Sequence, residues 1–170
     1  MISTIISDLG KVVLWFDNTI FVFVADHCAS SAGKAKIPVY RYHIPAIVYA
    51  PKLVAPQRVD TLASQIDLAP TLLAMLGLEG DDRFVGHDIL NTPPDQGRAL
   101  LSTYQNVGYL KGDLLTVLEP KRKIETFRIS ADGKEARPVA TDPQLADEAI
   151  AYFQGAAMLM EKHGRRSSDS

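Results

Sequence analysis

The residues best equipped for chemistry in this sequence are Asp26 and His27, an adjacent carboxylate and imidazole that follow the apolar run 20–25. Such a pair can cap a loop through hydrogen bonds, the reading that spacing alone favours. It can instead supply two ligands to a divalent cation, because open α/β sheets collect their ligands outside the carboxyl ends of the strands. The loop 28–43 that follows is small, polar and basic, with Lys34, Lys36, Arg41 and His43. As a solvated loop it has no chemistry; at a sheet edge its cations can hold a sulfate or phosphate ester. Cys28 is the single cysteine, which excludes an internal disulfide and any CxxC motif, and its expected role is that of a small buried hydrophobe.

Positioning these residues requires strands on either side of the loop. The runs 20–25 and 44–50 are short, β-branched and aromatic, and both read as buried strands of parallel character. Ahead of them, Ile2, Ile5, Ile6, Leu9, Val13 and Phe16 recur at helical spacing, which predicts an amphipathic helix over 2–16. Asp67 followed by Leu68, Leu72, Leu73, Met75 and Leu76, with Gly77 beyond, predicts a capped helix of about three turns in which Asp67 is structural. Residues 78–98 have the acids, prolines and glycines of a surface excursion, within which His87 reads as a packing or loop residue. From 99 to 129 the segments ALLSTY, NVGYL, LLTVLE and KIETFRI, separated by turn residues, predict an antiparallel meander. Lys121, Arg122 and Lys123 form a solvated face there. Asp132 and Gly133 mark a turn, and Asp142 with Pro143 opens a final helix whose apolar face includes Leu145, Ala149, Tyr152 and Phe153 and which ends near Gly164. The tail RRSSDS is disordered by composition.

With 170 residues, 46% hydrophobic and 22% charged, and a formal charge of −2, the chain has single-domain size and globular composition. No basic excess argues for nucleic acid. Its apolar runs stop at about seven residues where roughly twenty are needed to cross a bilayer, so no membrane segment is expected. Met1 opens no signal-peptide pattern.

Two spaced blocks carry a resemblance. Asp17, Asn18 and Thr19, then Asp26 and His27, then Gly33 and Lys34, then the strand from Pro45 to Pro51 form the first; Ser64, Asp67, Ala69, Pro70, Thr71, Leu72, Leu73 and Gly77 form the second. In this order, across most of residues 15–120, the sequence resembles the sulfatase branch of the alkaline-phosphatase superfamily, in particular lipoteichoic-acid-synthase-like phosphoglycerol transferases and arylsulfatase-like proteins. It departs at Cys28, where the family usually has glycine. The resemblance implies an α/β fold: part of an alkaline-phosphatase-like mixed sheet flanked by helices, followed by a small antiparallel meander and a C-terminal helix. Residues 1–164 would be the C-terminal portion of a sulfatase-like domain, 1–98 in the main-sheet part and 99–164 in the antiparallel strands and helix, with 165–170 a tail. Asp26 and His27 would bind a divalent metal (Mn, Mg, Ca or Zn), weakly or not at all in this chain, and Lys34 and His43 would contact the substrate ester. Intact relatives are periplasmic or cell-envelope proteins.

A complete enzyme of this kind also needs a nucleophile and acidic ligands from an earlier strand. The formylglycine signature C-x-P-x-R is absent, since Cys28 is followed by Ala-Ser-Ser-Ala, and no catalytic residue is assigned. Two functions from different classes follow. One is the C-terminal part of a metal-dependent sulfatase or phosphoglycerol transferase, inactive alone; the other is a non-catalytic interaction or binding module that keeps the fold. Metal-dependent ester hydrolysis separates them. Strands stripped of their neighbours also predict a homo-oligomer.

Overall fold

The computed structural model describes residues 15–28, 36–78 and 84–167. Most of the helix expected over 2–16 and the Gly33–Lys34 pair lie outside the described residues, as do 168–170 of the tail. The chain falls into two compact units, Met1–Ala29 with His43–Arg58, and Ser30–Tyr42 with Val59–Ser170.

In the first unit a 3-10 turn, Phe16–Asn18, leads into β1 (Phe21–Val24), which pairs with β2 (Ala46–Tyr49). The pairing is antiparallel, with Phe21 opposite Tyr49 and Val24 opposite Ala46. This corrects the expected parallel character. Parallel neighbours need a crossover of a dozen or more residues, usually a helix. The described residues between β1 and β2 contain only one helical turn, α1 (Val39–Tyr42), a turn that the polar composition of the loop concealed. Phe16, Phe21 and Tyr49 pack as an aromatic cluster with Trp15 at its rim, ring centroids 5.4–6.4 Å apart. Contrary to expectation the strands are not buried throughout: Phe23 is 36% and Ile47 57% exposed.

The second unit is the predicted meander. β3 (Arg98–Ser102), β4 (Val107–Lys111), β5 (Leu114–Glu119) and β6 (Lys123–Ile129) pair in sequence order, all antiparallel. A fifth strand that the sequence did not suggest, β7 (Ala136–Val139), adds to the edge with all four residues exposed. One face of the sheet buries Leu101, Leu110, Leu115, Val117 and Ile129 with Ile37 from the segment before α1. Each full burial of this kind is worth roughly 1.5–3 kcal/mol. Further bonds hold that segment to the sheet: the Tyr40 N–H donates to the Gly133 carbonyl (3.1 Å) and the Tyr42 hydroxyl to the Ser102 carbonyl (2.7 Å). Lys36 pairs with Glu119 and Glu125, and Lys123 pairs with both as well.

The second unit also contains α2 (Leu68–Met75), entered through a 3-10 turn, Gln65–Asp67, and closed by Gly77 at φ +68°. It is shorter than the three turns expected. α3 (Pro143–Ser167) packs Leu145 and Ala149 against Tyr109, and its backbone runs three residues past Gly164. Asp142 caps it as predicted, accepting from the Gln144 N–H at 2.9 Å.

Candidate functional site

β1 ends at Val24, so Asp26 and His27 emerge just beyond the ribbon, with side chains 87% and 76% exposed. The His27 N–H donates to the Asp26 carboxylate at 2.9 Å, which folds the two side chains toward each other. His27 Nδ1 lies 2.6 Å from the Cys28 carbonyl. A carbonyl only accepts, so Nδ1 carries the proton, and in the neutral ring Nε2 presents its lone pair. That lone pair lies 3.5 Å from Asp26 Oδ2. Two donors each about 2.1 Å from one cation at a tetrahedral angle sit roughly 3.4 Å apart. A metal-bound histidine typically donates its other N–H to a carbonyl or carboxylate, as His27 does here. The pair therefore fits half of a divalent site. Among the described residues no group of three His, Cys, Asp or Glu side chains is placed to hold a metal.

Antiparallel pairing sets Ala46 opposite Val24, so His43, exposed and just ahead of β2, enters at the end of the ribbon from which Asp26 and His27 leave. It is not brought into a ligand cluster with them. Lys34 lies outside the described residues.

A second polar cluster, which sequence reasoning did not assemble, sits in the other unit. The Arg98 guanidinium grips the Asp67 carboxylate in a fork, at 2.7 and 2.9 Å, with both side chains almost fully buried. Asp67 also accepts the Ser64 and His87 N–H groups at 2.8 Å each, so the carboxylate is fully engaged. Arg98 lies under the Tyr152 ring, 4.9 Å from its centroid, and the Tyr152 hydroxyl meets His87 Nε2 at 2.9 Å. Tyr152 stacks on Tyr109, whose hydroxyl donates to Glu148 while Lys111 holds the same carboxylate. Burial and the Glu148 charge push the Tyr109 phenol up; Lys111 draws the Glu148 carboxyl down against a small burial cost. Gly86 is required beside His87, because a Cβ there would lie 2.0 Å from the Ile66 carbonyl oxygen. The cavity beside Asp67, His87 and Arg98 is about 10 Å³, room for roughly one water. The cluster is thus a structural lock joining α2, β3 and α3. Its sequence signal was Asp67 itself, read as the cap of α2; the carboxylate instead accepts from the Ser64 N–H and pairs with Arg98.

The Sulfatase family model matches residues 1–78. A crystal structure of a protein in the alkaline phosphatase superfamily from Vibrio parahaemolyticus aligns over 92% of this chain at 31% identity with a TM-score of 0.84. The chain spans 38% of that protein's length. The structure of Ps i-CgsB aligns over 89% of this chain and 37% of its own, at 20% identity and a TM-score of 0.48.

Proposed function

We propose, for a chain that belongs to the sulfatase and alkaline-phosphatase-like superfamily, that it serves metal-dependent hydrolysis or transfer of a sulfate or phosphate ester, with phosphoglycerol transfer as one form of that reaction. The observation that carries this reading is the Asp26–His27 pair, with Nε2 and a carboxylate oxygen 3.5 Å apart and the imidazole held through its other nitrogen. A divalent cation of the Mn, Mg, Ca or Zn kind, when bound, supplies Lewis acidity and neutralises charge on the ester oxygens. Asp26 contributes the anionic ligand and His27 the neutral one, with the Cys28 carbonyl fixing the ring. Lys34 and His43 are proposed to hold the anionic group of the substrate, Lys34 as a point charge. The rest of the coordination shell and the attacking group belong to other parts of the domain. The main-sheet portion of that domain is assigned to residues 1–98 and the antiparallel portion to 99–164. A homo-oligomer is part of the same reading.

Calorimetric titration of Mn²⁺ and Zn²⁺ tests the pair. Two protein ligands leave most of the shell to water, so binding weaker than micromolar is expected, and Asp26→Ala and His27→Ala should each abolish it. Heats unchanged by both substitutions would place the metal elsewhere and remove the basis of the reading. Turnover of p-nitrophenyl sulfate and p-nitrophenyl phosphate by the 170-residue chain should be negligible, because positioning and a charged nucleophile supply most of the rate.

A further inference from the structure

The turn between β5 and β6 is built from residues that resist its shape. Glu119 faces Lys123 across the ladder, and within the loop Lys121 and Arg122 both have φ +61°, the left-handed region that hairpins normally fill with glycine or asparagine. Two strained residues in succession, both cations, point from an outlier toward a function. The carboxylates nearest in the ladder are already occupied, since Glu119 and Glu125 are held by Lys36 and Lys123. Among the described residues no carboxylate pairs with Lys121 or Arg122, and both are exposed.

The same end of the sheet also carries exposed apolar and aromatic residues. Ser102 pairs with Val107 and Val107 with Leu118, so the β3–β4 hairpin leaves the sheet beside the basic turn, and at its tip Tyr104 stands fully exposed. A groove of about 210 Å³ opens there between Val107, Leu118 and the α3 residues Phe153 and Ala156. Phe153 and, farther along the helix, Met158 are more than half exposed. No helix among the described residues is long and apolar enough to cross a membrane.

We propose that this end of the five-stranded sheet rests on an anionic phospholipid surface. Lys121 and Arg122 meet the head-group phosphates, while Tyr104 enters the interfacial layer, where an aromatic ring with one polar end is favoured, and Phe153 adds apolar area beneath it. The charge complementarity is local: the chain as a whole is acidic, with a sequence pI of about 6.1, so general attraction does not account for it.

The test is sedimentation of the full chain with vesicles of phosphatidylcholine, with and without phosphatidylglycerol. Binding is expected only to the anionic vesicles, weakening as salt rises. Each surface cation contributes roughly a fivefold gain in partition, so Lys121→Asn combined with Arg122→Gly should weaken it by roughly thirtyfold. That double variant suits the left-handed turn better than the native residues do, so it should melt no lower, and its loss of binding is not loss of fold. Tyr104→Ser, at a site without packing, should weaken binding to a smaller degree. Undiminished binding by the double variant, equal binding to neutral vesicles, or none at all would overturn the proposal. So would retention on heparin at salt that strips the vesicles, which would identify a soluble polyanion instead.

Discussion

At the residue scale, the two acid-centred pairs of this protein differ in environment, and that decides what each can do. Asp26 and His27 are mostly exposed, bring two donor atoms 3.5 Å apart and keep an oriented ring, which suits a ligand that arrives from solvent. Asp67 and Arg98 are 1% and 3% exposed, and the Asp67 carboxylate accepts hydrogen bonds from four donors, which suits permanence. Removing one partner of a buried ion pair strands the other charge at a cost of about 3–5 kcal/mol. Arg98→Met should therefore lower chemical-denaturation stability by that amount. Asp67→Asn with Arg98→Met together should cost less than the sum of the two single changes, and an additive cycle would show that the pair is not coupled. Asp26 and His27 were legible in the sequence because adjacency in the chain already made them a pair. The Asp67–Arg98 lock was only half legible, because its partners are 31 residues apart and nothing local to Arg98 distinguishes it from a solvent-facing charge at a strand start.

At the element scale, the meander was read almost strand for strand, because each strand is a short apolar segment bounded by turn residues. The direction of β1 against β2 was not, since runs of uniformly apolar residues fit either pairing and only the connection decides. β7 was invisible for the opposite reason: Arg137 and Pro138 carry little strand signal, and the strand forms because β6 offers it a ladder. The ion pairs along these elements predict a pH dependence. Lys123 and Lys36 hold the Glu125 carboxyl down to about 2, and Lys111 holds that of Glu148 below its usual range. A carboxyl whose folded value is depressed stabilises the fold above its unfolded value, near pH 4.5, and that contribution disappears as pH falls toward the folded value. Resistance to thermal unfolding should therefore fall as pH drops from about 5 to 2, and Glu125→Gln with Glu148→Gln should flatten the profile. A profile equally steep in the double variant would assign the acid sensitivity to other carboxylates. In the basic turn, replacing Lys121 and Arg122 by asparagine and glycine should add roughly 1–2 kcal/mol for each strained residue relieved, read as a shift in denaturant midpoint at constant slope.

At the scale of the whole molecule, the two sheets place different demands on their surroundings. The five-stranded sheet buries one face on Ile37 and packs the other against α3, and its β3 edge is partly covered, the Leu100 N–H donating to the Ser64 hydroxyl at 2.7 Å. Among the described residues of its own unit, the ribbon packs only against the aromatic cluster of Trp15 and Phe16. β1 reads FVFV and β2 AIVY, apolar or aromatic on both faces, the composition of strands buried on both sides. A sheet of two strands is marginal by itself, and neither strand joins a third among the described residues. No lysine interrupts either strand, and Pro45 guards only the approach to β2. Such an edge recruits another strand, and between identical chains the commonest closed arrangement buries the same surface on both copies. The 18.6 kDa chain should accordingly scatter light at micromolar concentration as a dimer or larger species. Ile47→Lys, which sets a charge on the most exposed large apolar residue of the ribbon, should shift it to monomer while leaving the melting of the five-stranded sheet in place. A wild-type monomer that binds no apolar dye would mean that the ribbon is covered from within the chain, and the assembly reading would fall.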